Sequence, residues 1–168
     1  EIITGDPISF AHLLEFSFAH RPKALLSTSM TLLPGLRHTL EDRFACPVLD
    51  IYSTNETGPI AATLPNHRFA LLQPRLFVEI IDKHGFSCPP GSRGEITVTG
   101  GINHYLPLIR YRTGDHAELG WSEGIPELMN LEGRPPVVFR SATGDLLNNI
   151  EITHALEPFS LPQFTFRQ

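Results

Sequence analysis

Short apolar strands alternate with proline-started helical runs through the opening third of this chain, and few folds accept that rhythm. The segment "EIIT" reads as a strand, and Asp6 followed by Pro7 supplies an N-cap and a first helical position. The run "ISFAHLLEFSFAH" then puts Phe10, Leu13, Leu14 and Ser17-Phe18 near one face at helical spacing. After the strand "KALLSTS", a second helix is predicted from Pro34, with Leu36, Leu40 and Phe44 at i, i+4 and i+8, ending near Cys46-Pro47. A third strand, "VLDIY", follows. Strands linked by crossover-length helices predict a parallel βαβαβ layer. Ligands of such sheets gather beyond the carboxyl ends of the strands. The loop leaving "VLDIY" stands at that end and carries a lone carboxylate, Glu56, among hydroxyls and an amide.

From about Phe69 the pattern changes to strands. "RLFVEIID", "RGEITVTG" and "LPLIRYRTGD" alternate, and "HAELGW" with "PELMNLEG" flank a Gly124-containing loop as a hairpin, with Trp121 covering its core. A last section opens near Gly133, with "PVVFRS" and "LLNNIE" around the "ATGD" turn and "EITHALEP" readable as a helix. The expected fold class is therefore α/β, α+β overall. A parallel βαβαβ layer over 1–68 is followed by a small antiparallel sheet or barrel over 69–132, packed against that layer, and by the start of a small C-terminal domain over 133–168.

Composition narrows the functions. The chain has 168 residues, 41% hydrophobic and 18% charged, which suits a globular core and argues against disorder. A net charge of −5 with dispersed basic residues makes nucleic acid and anionic membranes poor partners. No apolar run approaches the roughly 20 residues of a membrane span, and no signal-like segment opens the chain. Cys46 and Cys88 lack CxxC spacing, and the expected location is cytoplasmic. The start at Glu1, inside a strand-like run, and the apolar finish "PQFTFRQ" lead us to expect a piece of a longer chain.

In "LIRYRTGD", alternation places Leu108, Arg110 and Arg112 on one strand face and Ile109, Tyr111 and Thr113 on the other. Asp115 follows Gly114, so its carboxylate is expected where the strand ends. An ionised carboxylate accepts two hydroxyl hydrogen bonds and suits a ribose diol; a plain turn aspartate is the other reading. In "LEGRPP", Arg134 offers a planar donor fork to phosphate or sugar oxygens. Gly100-Gly101 follows no nucleotide-loop pattern, the eight histidines have no HxxxH or HxH spacing, and no GxSxG marks a serine nucleophile.

The order of these pieces, an aromatic-to-Glu loop after a strand, then "RGEITVTG", "YRTGD" and "GR", resembles the adenylate-forming (AMP-binding) superfamily. Within it the likeness is to the phenylacetate–CoA ligase-like branch, over roughly residues 46–151. The resemblance implies activation of a small-molecule carboxylic acid with ATP as acyl-AMP, helped by Mg²⁺, and transfer to a thiol, that of coenzyme A or the pantetheine arm of a carrier protein. It implies that 1–68 belongs to the large adenylation domain. It further implies that Tyr52 lies against adenine, Glu56 binds Mg²⁺, Asn55 and Thr54 line the phosphates, Asp115 takes the ribose hydroxyls, and Arg134 touches ribose or phosphate. Ser53 stands where Gly is usual, Asn55 where Thr or Ser is usual, and Pro136 where an acidic hinge residue is common. The lysines are Lys23 and Lys83, neither placed for the family's catalytic role. Such a segment holds half an active site and is expected to turn nothing over alone. The alternative is a non-catalytic, truncated or degenerate relative that binds a nucleotide or a protein.

Overall fold

A computed structural model of the chain describes residues 1–17, 21–64, 67–72, 76–102, 105–134, 138–144, 146–148, 152 and 155–159. Two compact units result, Glu1–Gly133 and Arg134–Gln168. In the first unit β1 (Ile2–Gly5), α1 (Pro7–Leu13), β2 (Ala24–Ser27), α2 (Pro34–Phe44) and β3 (Val48–Thr54) run in order. β2 pairs in parallel with both β1 and β3, which is the predicted βαβαβ layer. Asp6 caps α1 as its residue type requires, accepting the Ser9 N–H at 2.8 Å, with Pro7 in the first turn. The helix is shorter than its periodicity suggested. Glu15 and Phe16 turn back three residues, to the His12 and Leu13 carbonyls, and Phe16 is exposed. α2 stops at Ala45, whose left-handed φ of 49° ends the helix. Phe10, Leu25, Leu32, Leu40, Phe44, Cys46 and Val48 form the core of this layer.

The antiparallel part comprises β4 (Gly58–Thr63), β5 (Phe69–Leu71), β6 (Leu76–Ile81), β7 (Arg93–Gly100), β8 (Leu108–Ser122) and β9 (Ile125–Glu132). It does not pack face-on against the parallel layer. Both belong to one nine-stranded sheet ordered β1-β2-β3-β4-β5-β9-β8-β7-β6, in which β3 pairs in parallel with β2 and antiparallel with β4. The sheet stays open at β1 and β6, so it is not a closed barrel. A second core gathers Ile60, Ala61, Leu76, Val78, Ile80, Ile96, Val98 and Ala117, with Tyr52 packed against it. β8 and β9 form the expected hairpin, turning at Glu123 and Gly124, both with positive φ (52° and 80°), as a two-residue type I′ loop demands.

In the second unit β10 (Val138–Arg140) pairs antiparallel with β11 (Leu146–Asn148), and a single 3₁₀ turn spans Glu157–Phe159. Pro135 and Pro136 lie outside the described residues, as does most of the helix expected in "EITHALEP". No described helix is long and apolar enough to cross a membrane.

Candidate functional site

Asp115 does not sit at a strand end. β8 runs through it for seven further residues to Ser122. The register explains why sequence reading placed an end there. Thr97 pairs with Arg112 and Glu95 with His116, so Thr113, Gly114 and Asp115 together face the single residue Ile96. "TGD" is thus a bulge, and Gly114 at φ 81° provides the backbone turn that other residues adopt only with strain. The bulge is held by its own hydrogen bonds. Thr113 Oγ1 donates to the Ile96 carbonyl at 3.0 Å and accepts the Asp115 N–H at 3.1 Å, while the Gly114 N–H reaches Glu95 Oε1 at 3.1 Å. The result buries both Thr113 and Asp115 on the inner face.

Opposite the bulge stands Tyr52 of β3. Its hydroxyl donates to Asp115 Oδ2 at 2.8 Å and lies 3.4 Å from Thr113 Oγ1. These partners are 63 positions apart in sequence and four places apart in the strand order. Curvature of the sheet around the second core brings them together. The arginines of "YRTGD" and its upstream neighbour face outward. Arg112 pairs with Glu95, its Nε at 2.7 Å, and this pairing holds the Glu95 carboxyl below the usual carboxylate range, with the Gly114 N–H assisting. Arg110, at φ 49° in a second bulge, pairs with Glu79 at 3.2 Å.

The loop after β3 is compact. Thr57 Oγ1 donates to the Gly58 carbonyl at 2.8 Å, so the Thr54 hydroxyl, 3.0 Å from Thr57 Oγ1, supplies the proton of that contact and also accepts the Thr57 N–H at 3.2 Å. Asn55 is exposed at the tip and Glu56 half-buried beside it. Gly58 has φ 74°, and a Cβ there would meet Ile102 Cδ1 at 2.9 Å; Gly101 (φ 131°) lies close to the Thr57 backbone. The paired glycines at 100–101 are therefore architectural, letting one backbone approach another. Among the described residues no group of three or more His, Cys, Asp or Glu could hold a metal ion. A single carboxylate such as Glu56 fits only a hard cation that takes its other ligands from phosphate and water, which is the habit of Mg²⁺. Arg134 is exposed and opens the second unit.

One polar cluster escaped sequence reading. Arg37, on the inner side of α2, is buried; it donates to the Val48 carbonyl at 2.7 Å, lies 3.2 Å from His67 Nδ1 and 3.9 Å from Asp50 Oδ2. Burial pushes the Asp50 carboxyl up, and Arg37 and the Leu32 N–H pull it back. The signal was present: an aspartate in the middle of the apolar strand "VLDIY".

The structure of 2-hydroxyisobutyryl-CoA ligase, in an open conformation with 2-HIB-AMP and CoA, matches with a TM-score of 0.69 at 23% identity, covering 95% of this chain and 41% of the ligase. The fold is that of the adenylate-forming ligases. The amide bond synthetase McbA from Marinactinospora thermotolerans matches with a TM-score of 0.59 at 20% identity, covering 76% of this chain and 31% of McbA. In sequence, protein CapK of Staphylococcus aureus is 24% identical over 151 residues, 85% of this chain. The chain spans 31% of CapK's length. No protein-family model matches it.

Proposed function

We propose that this chain is the nucleotide-binding part of an ATP-dependent, AMP-forming acid–thiol ligase, akin to the phenylacetate–CoA ligase-like branch. The observation that carries the reading is the Tyr52–Asp115 hydrogen bond, which joins an aromatic ring to a buried carboxylate inside the fold of adenylate-forming ligases. The ring would lie against adenine and the carboxylate would accept the ribose hydroxyls. Asn55 would donate to phosphate, and Thr54 would hold the loop that presents Asn55. Glu56 would hold Mg²⁺, which neutralises phosphate charge when bound. Arg134, at the start of the segment 133–168 that we read as the beginning of a small C-terminal domain, would contact ribose or phosphate. A small carboxylic acid and the thiol of coenzyme A, or of a carrier protein, complete the reaction in a cytoplasmic setting.

The test is AMP binding by titration calorimetry, on the chain and on Asp115→Ala. The substitution leaves no acceptor for the diol and is expected to weaken binding by about 100-fold, the effect of two hydrogen bonds to a charged group. A folded chain that does not bind AMP, or an Asp115→Ala variant that binds it equally well, overturns the assignment. A second reading, a non-catalytic relative that binds a nucleotide or a protein, draws on Asn55 and on Pro135-Pro136, which stand where the family has Thr or Ser and an acidic hinge residue. ATP–pyrophosphate exchange by the native protein with a panel of acids separates the two readings.

A further inference from the structure

We propose that the Tyr52 hydroxyl is a positioning group for sugar recognition. It holds the Asp115 carboxylate in the orientation that accepts a ribose diol, so that base and sugar are read by one coupled pair. The inference rests on the nucleotide reading above and goes beyond it by giving the hydroxyl a role separate from the ring.

Proton placement supports it. The Thr113 hydroxyl spends its proton on the Ile96 carbonyl at 3.0 Å and can only accept from Tyr52. The single Tyr52 proton therefore faces two acceptors, Asp115 Oδ2 at 2.8 Å and Thr113 Oγ1 at 3.4 Å. The shorter contact, to a charged oxygen, takes it. Tyr52 is anchored by its pairing with Ala61 of β4 and by the packing of its ring on the second core. Asp115 lies in a bulge out of register with β7, and the Tyr52 hydroxyl gives its carboxylate a fixed direction there. A carboxylate offers about four lone-pair directions. The hydroxyl takes one on Oδ2, while Oδ1 lies toward Gly133, where an added Cβ would stand 3.9 Å away.

Tyr52→Phe keeps the ring and removes only the clamp. We would titrate AMP, 2′-deoxy-AMP and 3′-deoxy-AMP into the wild-type chain, Tyr52→Phe, Asp115→Asn and the double variant. Tyr52→Phe is expected to weaken AMP by about tenfold and the deoxy analogues by less than about twofold. In the Asp115→Asn background the same change should alter AMP affinity by less than about twofold, the scatter of independent sites. Equal losses for AMP and both analogues, an undiminished effect in Asp115→Asn, or unchanged or tighter AMP binding by Tyr52→Phe overturns the proposal. Should Tyr52→Phe not fold, Asp115→Glu, which carries the carboxylate one methylene past the hydroxyl, must lose the preference for AMP over its deoxy analogues; retention of that preference overturns it equally. A folded wild-type chain that binds no AMP defeats the nucleotide reading itself, a result distinct from AMP binding without hydroxyl dependence.

Discussion

Replacing Arg37 by methionine keeps most of the side chain's volume and strips the charge from a buried site. Two losses follow. At 3.9 Å from Asp50, and with an effective dielectric of about 20, the lost attraction is about 4 kcal/mol. The bond to the Val48 carbonyl, 2.7 Å long, adds about 1.5–3 kcal/mol for a charged donor. Arginine's own desolvation cost is recovered, so the net expected loss is about 3–5 kcal/mol, the range for breaking a buried pair. With a urea slope of about 2 kcal/mol per molar, the midpoint drops by about 2 M. The pH dependence identifies the cause. Burial already raises the Asp50 carboxyl above its unfolded value, and without Arg37 it rises further. A raised carboxyl in the folded state means that the native protein binds the extra proton, so stability falls as pH climbs from the unfolded value through the folded one. Arg37→Met should therefore be most damaged at neutral pH and recover part of its loss on acidification toward the ordinary aspartate range. Asp50→Asn added to it should restore about 2 kcal/mol at pH 7 by removing the stranded charge. Urea titrations across pH on the wild type, Arg37→Met, Asp50→Asn and the double variant make the check. Equal destabilisation of Arg37→Met with and without Asp50→Asn would refute the electrostatic account and leave packing and the contacts to Val48 and His67.

Two further outcomes follow from the antiparallel half. Glu95 is lowered by Arg112, so its contribution is present above the ordinary glutamate range and lost as pH falls through the lowered folded value; Glu95→Gln should be less stable than wild type at pH 7, with the two thermal-melting curves converging in acid, and parallel curves would contradict this. Gly94→Ala brings a Cβ to 2.4 Å from the Ile81 carbonyl oxygen, a backbone atom that moves only with its strand. The expected loss is about 1–3 kcal/mol, read as a lower urea midpoint, and an unchanged midpoint would show that β6 and β7 separate at little cost.

The parallel layer was legible because its signals are local. Asp6-Pro7 and Pro34 start helices by their own chemistry, and the i, i+4, i+8 spacing of Leu36, Leu40 and Phe44 points into a core where Leu40 and Phe44 are indeed buried. Asp115 was misplaced at a strand end because a glycine within a strand pattern reads equally as a turn or a bulge. The deciding partner, Ile96, lies 17 residues before Thr113. Trp121, expected over the hairpin core, is 62% exposed; it stands near the tip of the hairpin, paired with Pro126. The identities of Tyr52 and Asp115 came from motif order, but their contact depends on sheet curvature, which no short segment encodes. The Arg37–Asp50 pair was missed because a lone charge in an apolar strand has its partner on another element.

β3 is the party wall of this molecule. Val48, at its start, belongs to the core of the parallel layer, and Tyr52, four residues on, packs on the core of the antiparallel sheet. Val48 to Asp50 pair with β2 and Ile51 to Thr54 with β4, so opening either core strips hydrogen bonds from this one strand and the two halves of the first unit are coupled through it. Whatever grips Tyr52 thereby slows amide exchange in β1 and β2, strands that it never touches.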